Sequence, residues 1–174
     1  REYVNINPGT SNGGGITSIG DNNLLMVYCH VAHDCRLSNN IVIANNVQIA
    51  GHVSIQENAI IGGSCAIHQF SRVGAGSMVG GMTGVDSDVI PFGLSMGNRN
   101  ELIGLNLIGL RRAKVSNENI KQIQIAYEII FKTKDFRHNI ENLDDNLKNN
   151  EFVKKIHNFI NSDKKRPISL PKNI

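Results

Sequence analysis

Four of the six histidines in this 174-residue chain fall between positions 30 and 68: His30, His33, His52 and His68. Asp34 follows His33 directly, Gly51 precedes His52, and Gln69 follows His68. Imidazole titrates near neutrality, so a histidine oriented by a carboxylate can act as a general base. A glycine lets a ligand approach the backbone closely, and its N–H can support a developing oxyanion. A second chemistry is open to the same residues, because His30, His33 and His52 could offer three nitrogen ligands to zinc. Taken singly, each histidine reads as a surface turn residue. The chemistry requires a fold that brings them together.

That fold is written in a repeat. Stepping by six from Ile19 gives Leu25, Val31, Leu37, Ile43, Ile49, Ile55, Ile61, Ile67, Val73, Val79 and Val85, so twelve consecutive positions are aliphatic. A helix requires apolar recurrence at three and four, and a plain strand at two. A period of six predicts a parallel β-helix, a three-sided prism with one short strand per face and 18 residues per coil. Residues 18 apart then stack at about 4.8 Å. His33 lies under Gly51 and Gln69, and one corner gathers His33, Asp34, Gly51, His52, His68 and Gln69 within two coils. Residues three apart fall on different parts of a face, which argues against a His30–His33–His52 metal site within one protomer. Only a subunit boundary would restore it.

Composition agrees with a narrow prism. There are nine aromatics (six Phe, three Tyr, no Trp) against 17 glycines, and large rings would overpack such an interior. The position four after each aliphatic is small or β-branched and holds Cys29, Cys35 and Cys65. Cys29 and Cys65 lie two coils apart, about 10 Å, which is too far for a disulfide. An odd, sparse cysteine set points to a reducing compartment. The chain has neither an apolar run of the roughly 20 residues that span a bilayer nor an opening apolar stretch with a cleavage site. The expectation is a cytoplasmic protein without stable membrane insertion. A formal net charge of +3 is too weak to imply nucleic acid.

Pro8–Gly15 reads as an excursion loop interrupting the coil, and Pro91, Gly93 and Gly97 close the regular pattern. Residues 1–97 are therefore expected to form the β-helix and residues 98–174 a helical domain with a basic tail. Ser116 can cap a helix whose Ile120, Ile123, Tyr127, Ile130 and Phe131 share a face. Two more helical stretches are expected around 139–149 and 151–161, followed by a loose tail from Lys164. Residues 1–97 carry three basic and six acidic side chains, and residues 98–174 fifteen and nine, so the helical part is the basic part. The chain opens at Arg1, without a methionine, in strand-like sequence, and is expected to be a piece of something longer.

The segments GDNNLLMVYCHVAHDC, IANNVQIAGHVSI, AIIGGSCAIHQFSRVGAGSMVGG and GLNLIGLRR, followed by a helix containing AYEIIF, carry a resemblance. In this order they resemble the acyl-[acyl-carrier-protein]:UDP-N-acetylglucosamine O-acyltransferase family of lipid A biosynthesis, from Arg1 to roughly residue 135. The resemblance implies a left-handed parallel β-helix with a C-terminal α-helical domain, assembled as a homotrimer. It also implies transfer of a 3-hydroxyacyl chain from acyl carrier protein to the 3-hydroxyl of UDP-N-acetylglucosamine, with neither metal nor cofactor.

By the same resemblance His33 is the base, Asp34 its orienting acid and Gly51 the oxyanion donor. His30, His52, His68 and Gln69 line the sugar-nucleotide and acyl pocket, Asn106 and Arg112 lie near the nucleotide and its phosphates, and Gly81 closes the acyl channel. The chain departs from the pattern at Ile108, where some members carry an acid, and at Ala113, which replaces a second arginine. The family's N-terminal coils, with a substrate-binding lysine and aspartate, are expected to lie outside this sequence. Rival readings on the same scaffold are a sugar N-acyltransferase and a zinc-dependent hydratase of the γ-type carbonic anhydrase kind.

Overall fold

The computed structural model describes residues 1–172, and thirteen two-residue strands form its first half. From Ser18–Ile19 onward they recur every six residues as far as Gly84–Val85, each containing one rung of the aliphatic series. They wind as a left-handed parallel β-helix of three sheets, with five, four and four of these strands. This is the opposite hand to ordinary parallel crossovers. Register follows the 18-residue spacing: Val31 pairs with Ile49, Ile49 with Ile67, and Ile67 with Val85. Every rung from Val31 to Val85 is buried, while Ile19 and Leu25 at the open end are half-buried. Each such side chain contributes about 1.5–3 kcal/mol by leaving water.

Tight corners let two-residue strands turn. The corner residue adopts left-handed φ at Asn22, Tyr28, Asp34, Asn40, Asn46, His52, Asn58, Ser64, Phe70, Gly76 and Met82. Asn, Asp, His and Gly tolerate this region best, and Asn fills four of the eleven corners. Behind the corners all three cysteines are buried and unpaired, their thiols donating to the carbonyls of Ala44, Ala50 and Gly80. Burial pushes the Cys35 and Cys65 thiols above their ordinary pKa.

The second half is more than helices. Gly93–Met96 extends one sheet in parallel, and Glu101–Leu105 returns antiparallel to it, a strand the sequence pattern does not announce. Five helices follow: α1 (Leu107–Arg112), α2 (Asn117–Ile130), α3 (Phe136–Glu141), α4 (Asp145–Asn149) and α5 (Glu151–Ser162). Ser116 caps α2 as expected, accepting from the Asn119 N–H, and Ile120, Ile123 and Ile130 are buried. The stretch expected around 139–149 is two short helices, with Asp144 capping the second. Among the described residues no helix is long and apolar enough to cross a membrane.

The expected loose tail is instead pinned. Asp88 and Ser169 exchange backbone bonds with the opposite chain segment, Asp88 N–H to Pro167 and Ser169 N–H to Asp88, and Ile168 is buried. The buried Asp88 carboxylate accepts from Arg72 Nε at 2.6 Å and Arg166 Nε at 3.0 Å, tying tail to prism. Asn173 and Ile174 at the tip of that tail lie outside the described residues.

The ladder sets the expected cost of core truncation. Ile61→Ala should lower the unfolding free energy by about 2–5 kcal/mol in urea titrations. Ile129→Ala, on the exposed side of α2, should change it by about 0.5 kcal/mol or less.

Candidate active site

Two adjacent corner columns build the site. Asp34, His52 and Phe70 occupy left-handed corners 18 residues apart, and His33, Gly51 and Gln69 immediately precede them. Backbone bonds lock the columns, with His52 N–H donating to His33 carbonyl and Phe70 N–H to Gly51 carbonyl. His33 Nδ1 lies 2.9 Å from Asp34 Oδ2, and His52 Nε2 lies 3.9 Å from the same oxygen. The His33 and His52 rings meet edge to face at 5.1 Å, and His52 stacks on Phe70 at 4.6 Å. The Asp34 side chain is 1% exposed, while His33 is 37% exposed and faces outward from the corner.

Gly51 is placed as the stack requires. A Cβ there would lie 2.6 Å from His33 Cε1 and 2.7 Å from Nε2, so any side chain would displace the imidazole. Among the described residues no backbone acceptor pairs with the Gly51 N–H. The repeat leaves the residue before each corner in that condition, and Asn45 and Gly63 show it too. At two such positions a side chain accepts instead, Asn39 from the Asp21 N–H and Gln56 from the Ala75 N–H, while at Gly51 no side chain stands between the backbone and the His33 ring.

The excursion loop does what its sequence did not disclose. Thr10 Oγ1 donates to Asp34 Oδ2 at 2.7 Å, and the Thr10 N–H reaches both carboxylate oxygens at 3.1 Å. Thr17 Oγ1 accepts from the Asp34 N–H at 2.8 Å. The Thr10 hydroxyl is the largest influence holding the Asp34 carboxyl down, at about 2; burial opposes it, while His33, the Thr10 N–H and the nearby His52 reinforce it. Thr10, Thr17 and Phe70 are thus site residues that the sequence reading passed over. The only available signal was the loop's position, one coil before His33.

The other expected residues have partners of their own. His30 lies on a strand, and its Nδ1 is 3.0 Å from the Asn5 side chain. His68 is exposed, its Nδ1 3.1 Å from the Gln69 carbonyl. Gly81 is exposed beside the Gly63 backbone. Asn106 caps α1 and donates to the Gly76 carbonyl, and Arg112 is exposed in the last turn of α1. Among the described residues no side-chain hydrogen bond joins any of these five to His33 or Asp34.

The three-histidine metal set does not converge either. Among the described residues, the group with ligand atoms within 4.8 Å of one another is His33, Asp34 and His52. In it Asp34 is already committed to Thr10 and His33, an arrangement suited to orienting an imidazole.

The family described as UDP N-acetylglucosamine O-acyltransferase, domain 2, matches residues 88–169. An acyl-[acyl-carrier-protein]--UDP-N-acetylglucosamine O-acyltransferase of Rhizobium etli is 44% identical over 98% of this chain and 63% of its own length. Its counterpart in Nautilia profundicola is 43% identical over 95% and 64%. Among solved structures, the UDP-N-acetylglucosamine O-acyltransferase of Moraxella catarrhalis superposes with a TM-score of 0.92 at 38% identity, covering 97% of this chain and 66% of that one. The chain belongs to the UDP-N-acetylglucosamine O-acyltransferase family. The acyltransferase of Campylobacter jejuni agrees, with a TM-score of 0.88 at 41% identity over 98% and 66%. The chain spans less than two thirds of the length of the curated family members it matches.

The depressed Asp34 carboxyl gives a pH signature. Between about pH 4 and pH 2 the unfolded chain takes up this proton and the folded one does not, so stability should fall as pH falls through that window. In Asp34→Asn the slope of stability against pH across it should be shallower. Denaturant titrations at stepped pH would measure both.

Proposed function

We propose that this chain carries the acyl-transfer centre of a UDP-N-acetylglucosamine O-acyltransferase. It would move a 3-hydroxyacyl group from acyl carrier protein to the sugar 3-hydroxyl. The observation that carries the reading is the His33 Nδ1–Asp34 Oδ2 contact at 2.9 Å, on a histidine whose other nitrogen lies against Gly51. A carboxylate accepting from Nδ1 leaves Nε2 as the basic nitrogen.

In the reaction His33 Nε2 takes the proton of the 3-hydroxyl as its oxygen attacks the thioester carbonyl carbon. The Gly51 N–H supports the oxyanion of the tetrahedral intermediate. Collapse breaks the C–S bond, and the imidazolium returns the proton to the departing thiolate. No covalent enzyme intermediate is required, because holding both substrates in register supplies much of the rate.

His52, on the same carboxylate, would position the sugar, with His30, His68 and Gln69 lining the pocket. Asn106 and the Arg112 guanidinium would face the nucleotide and its pyrophosphate, which suits bidentate anion binding. Gly81 would end the acyl channel. This reading needs the homotrimer that the family resemblance implies, since a neighbouring copy could bring α1 residues to the dyad. The basic helical half offers a surface to an acidic carrier protein, and a cytoplasmic location fits both substrates.

His33→Ala should reduce acyl transfer by about 100-fold or more while leaving the fold intact by circular dichroism. Undiminished transfer would overturn the assignment of the base. Because His33, Asp34 and His52 could also hold a cation, elemental analysis of the purified protein distinguishes the hydratase reading, which requires stoichiometric zinc.

A further inference from the structure

Asp34 has two imidazoles within reach of one oxygen. Oδ2 lies 2.9 Å from His33 Nδ1 and 3.9 Å from His52 Nε2, and a small rotation of the carboxylate would exchange those partners. Only one partner is useful to a base at His33. If Oδ2 turned towards His52, the His33 ring would lose the acceptor that keeps its proton on Nδ1.

Thr10 decides the matter. Its hydroxyl donates to Oδ2 at 2.7 Å, and its N–H spans Oδ1 and Oδ2, both at 3.1 Å, so the carboxylate is held at both ends. The loop around it is built to that contact. The Thr10 carbonyl accepts the N–H groups of Gly13 and Gly15 at 3.0 Å each, curling the loop over the acid. Gly13 must lack a side chain, because a Cβ would fall 2.1 Å from Asp34 Oδ2. Gly9 is likewise pressed against the Gly15–Ile16 backbone, which closes the loop at its base. Thr17, where the chain re-enters the prism, accepts from the Asp34 N–H at 2.8 Å. A loop that merely bridged two strands would have no need to converge on one carboxylate.

We infer that Thr10 is a positioning residue: through Asp34 it holds His33 in the tautomer with the proton on Nδ1 and the lone pair on Nε2. The inference deepens the acyltransferase reading and rests on it for the catalytic consequence, but the tautomer can be measured without any turnover. The low carboxyl pKa, whose first cause is the Thr10 hydroxyl, is in keeping with this.

The test is nitrogen-15 NMR of histidine-labelled protein at a pH where His33 is neutral, comparing the wild type with Thr10→Val and Thr10→Ser. The wild type and Thr10→Ser should show His33 protonated on Nδ1. Thr10→Val, equal in shape but without the hydroxyl, should show a mixed or Nε2-protonated ring in a protein whose amide spectrum is otherwise preserved. Steady-state assays run in parallel should show kcat lower by about 10- to 100-fold in Thr10→Val with KM little changed, and recovery in Thr10→Ser. An unchanged His33 tautomer in Thr10→Val would overturn the inference, as would Nε2 protonation in the wild type. Absence of acyl transfer by the wild type would overturn the acyltransferase reading instead, leaving the tautomer result to decide the role of Thr10.

Discussion

Everything in this molecule depends on the left-handed corner that recurs every six residues. It ends a strand after two residues, turns the chain onto the next face, and sets residues 18 apart one above another. A single aliphatic rung then fills each face, and the rungs stack into a dry column. The same corner lifts its own side chain out of the prism. Polar groups therefore stand at fixed spacing on the rim of a rigid core, where functional side chains can be held in register.

The proposed catalytic arrangement is a local use of that regularity. Asp34, His52 and Phe70 occupy three consecutive levels of one corner, and the residues before them put Gly51 against the His33 ring. Asp, His and Asn are also the residues best able to adopt the corner conformation, so backbone requirement and chemistry coincide at Asp34 and His52. What the repeat cannot supply is an acceptor locked in one orientation. The irregular loop from Pro8 to Thr17 provides that, and it is where the coil departs from its period.

The legible and illegible parts divide along the same line. The ladder from Val31 to Val85, the 18-residue register and the His33–Gly51 contact follow from periodicity, because burial on a narrow prism leaves few alternatives. The corner column was equally present as Asn22, Asn40, Asn46 and Asn58, but Tyr28, Phe70 and Met82 share it and blur the pattern. Thr10 was hidden because an aperiodic loop does not say which carboxylate it closes over. The Glu101–Leu105 strand and the pinned tail depend on partners far away in sequence, Gly93–Met96 for one and Asp88 for the other. Neither leaves a local signal. The partners of His30 and Asn106, the Asn5 side chain and the Gly76 carbonyl, are likewise distant in sequence.

The most direct test of the account is a crystal structure of the protein with UDP-N-acetylglucosamine bound. The account predicts the sugar 3-hydroxyl oxygen within about 2.6–3.2 Å of His33 Nε2, with Nδ1 still on Asp34 and the Gly51 N–H facing the position of attack. A sugar bound elsewhere, or a His33 Nε2 occupied by a protein donor, would contradict it.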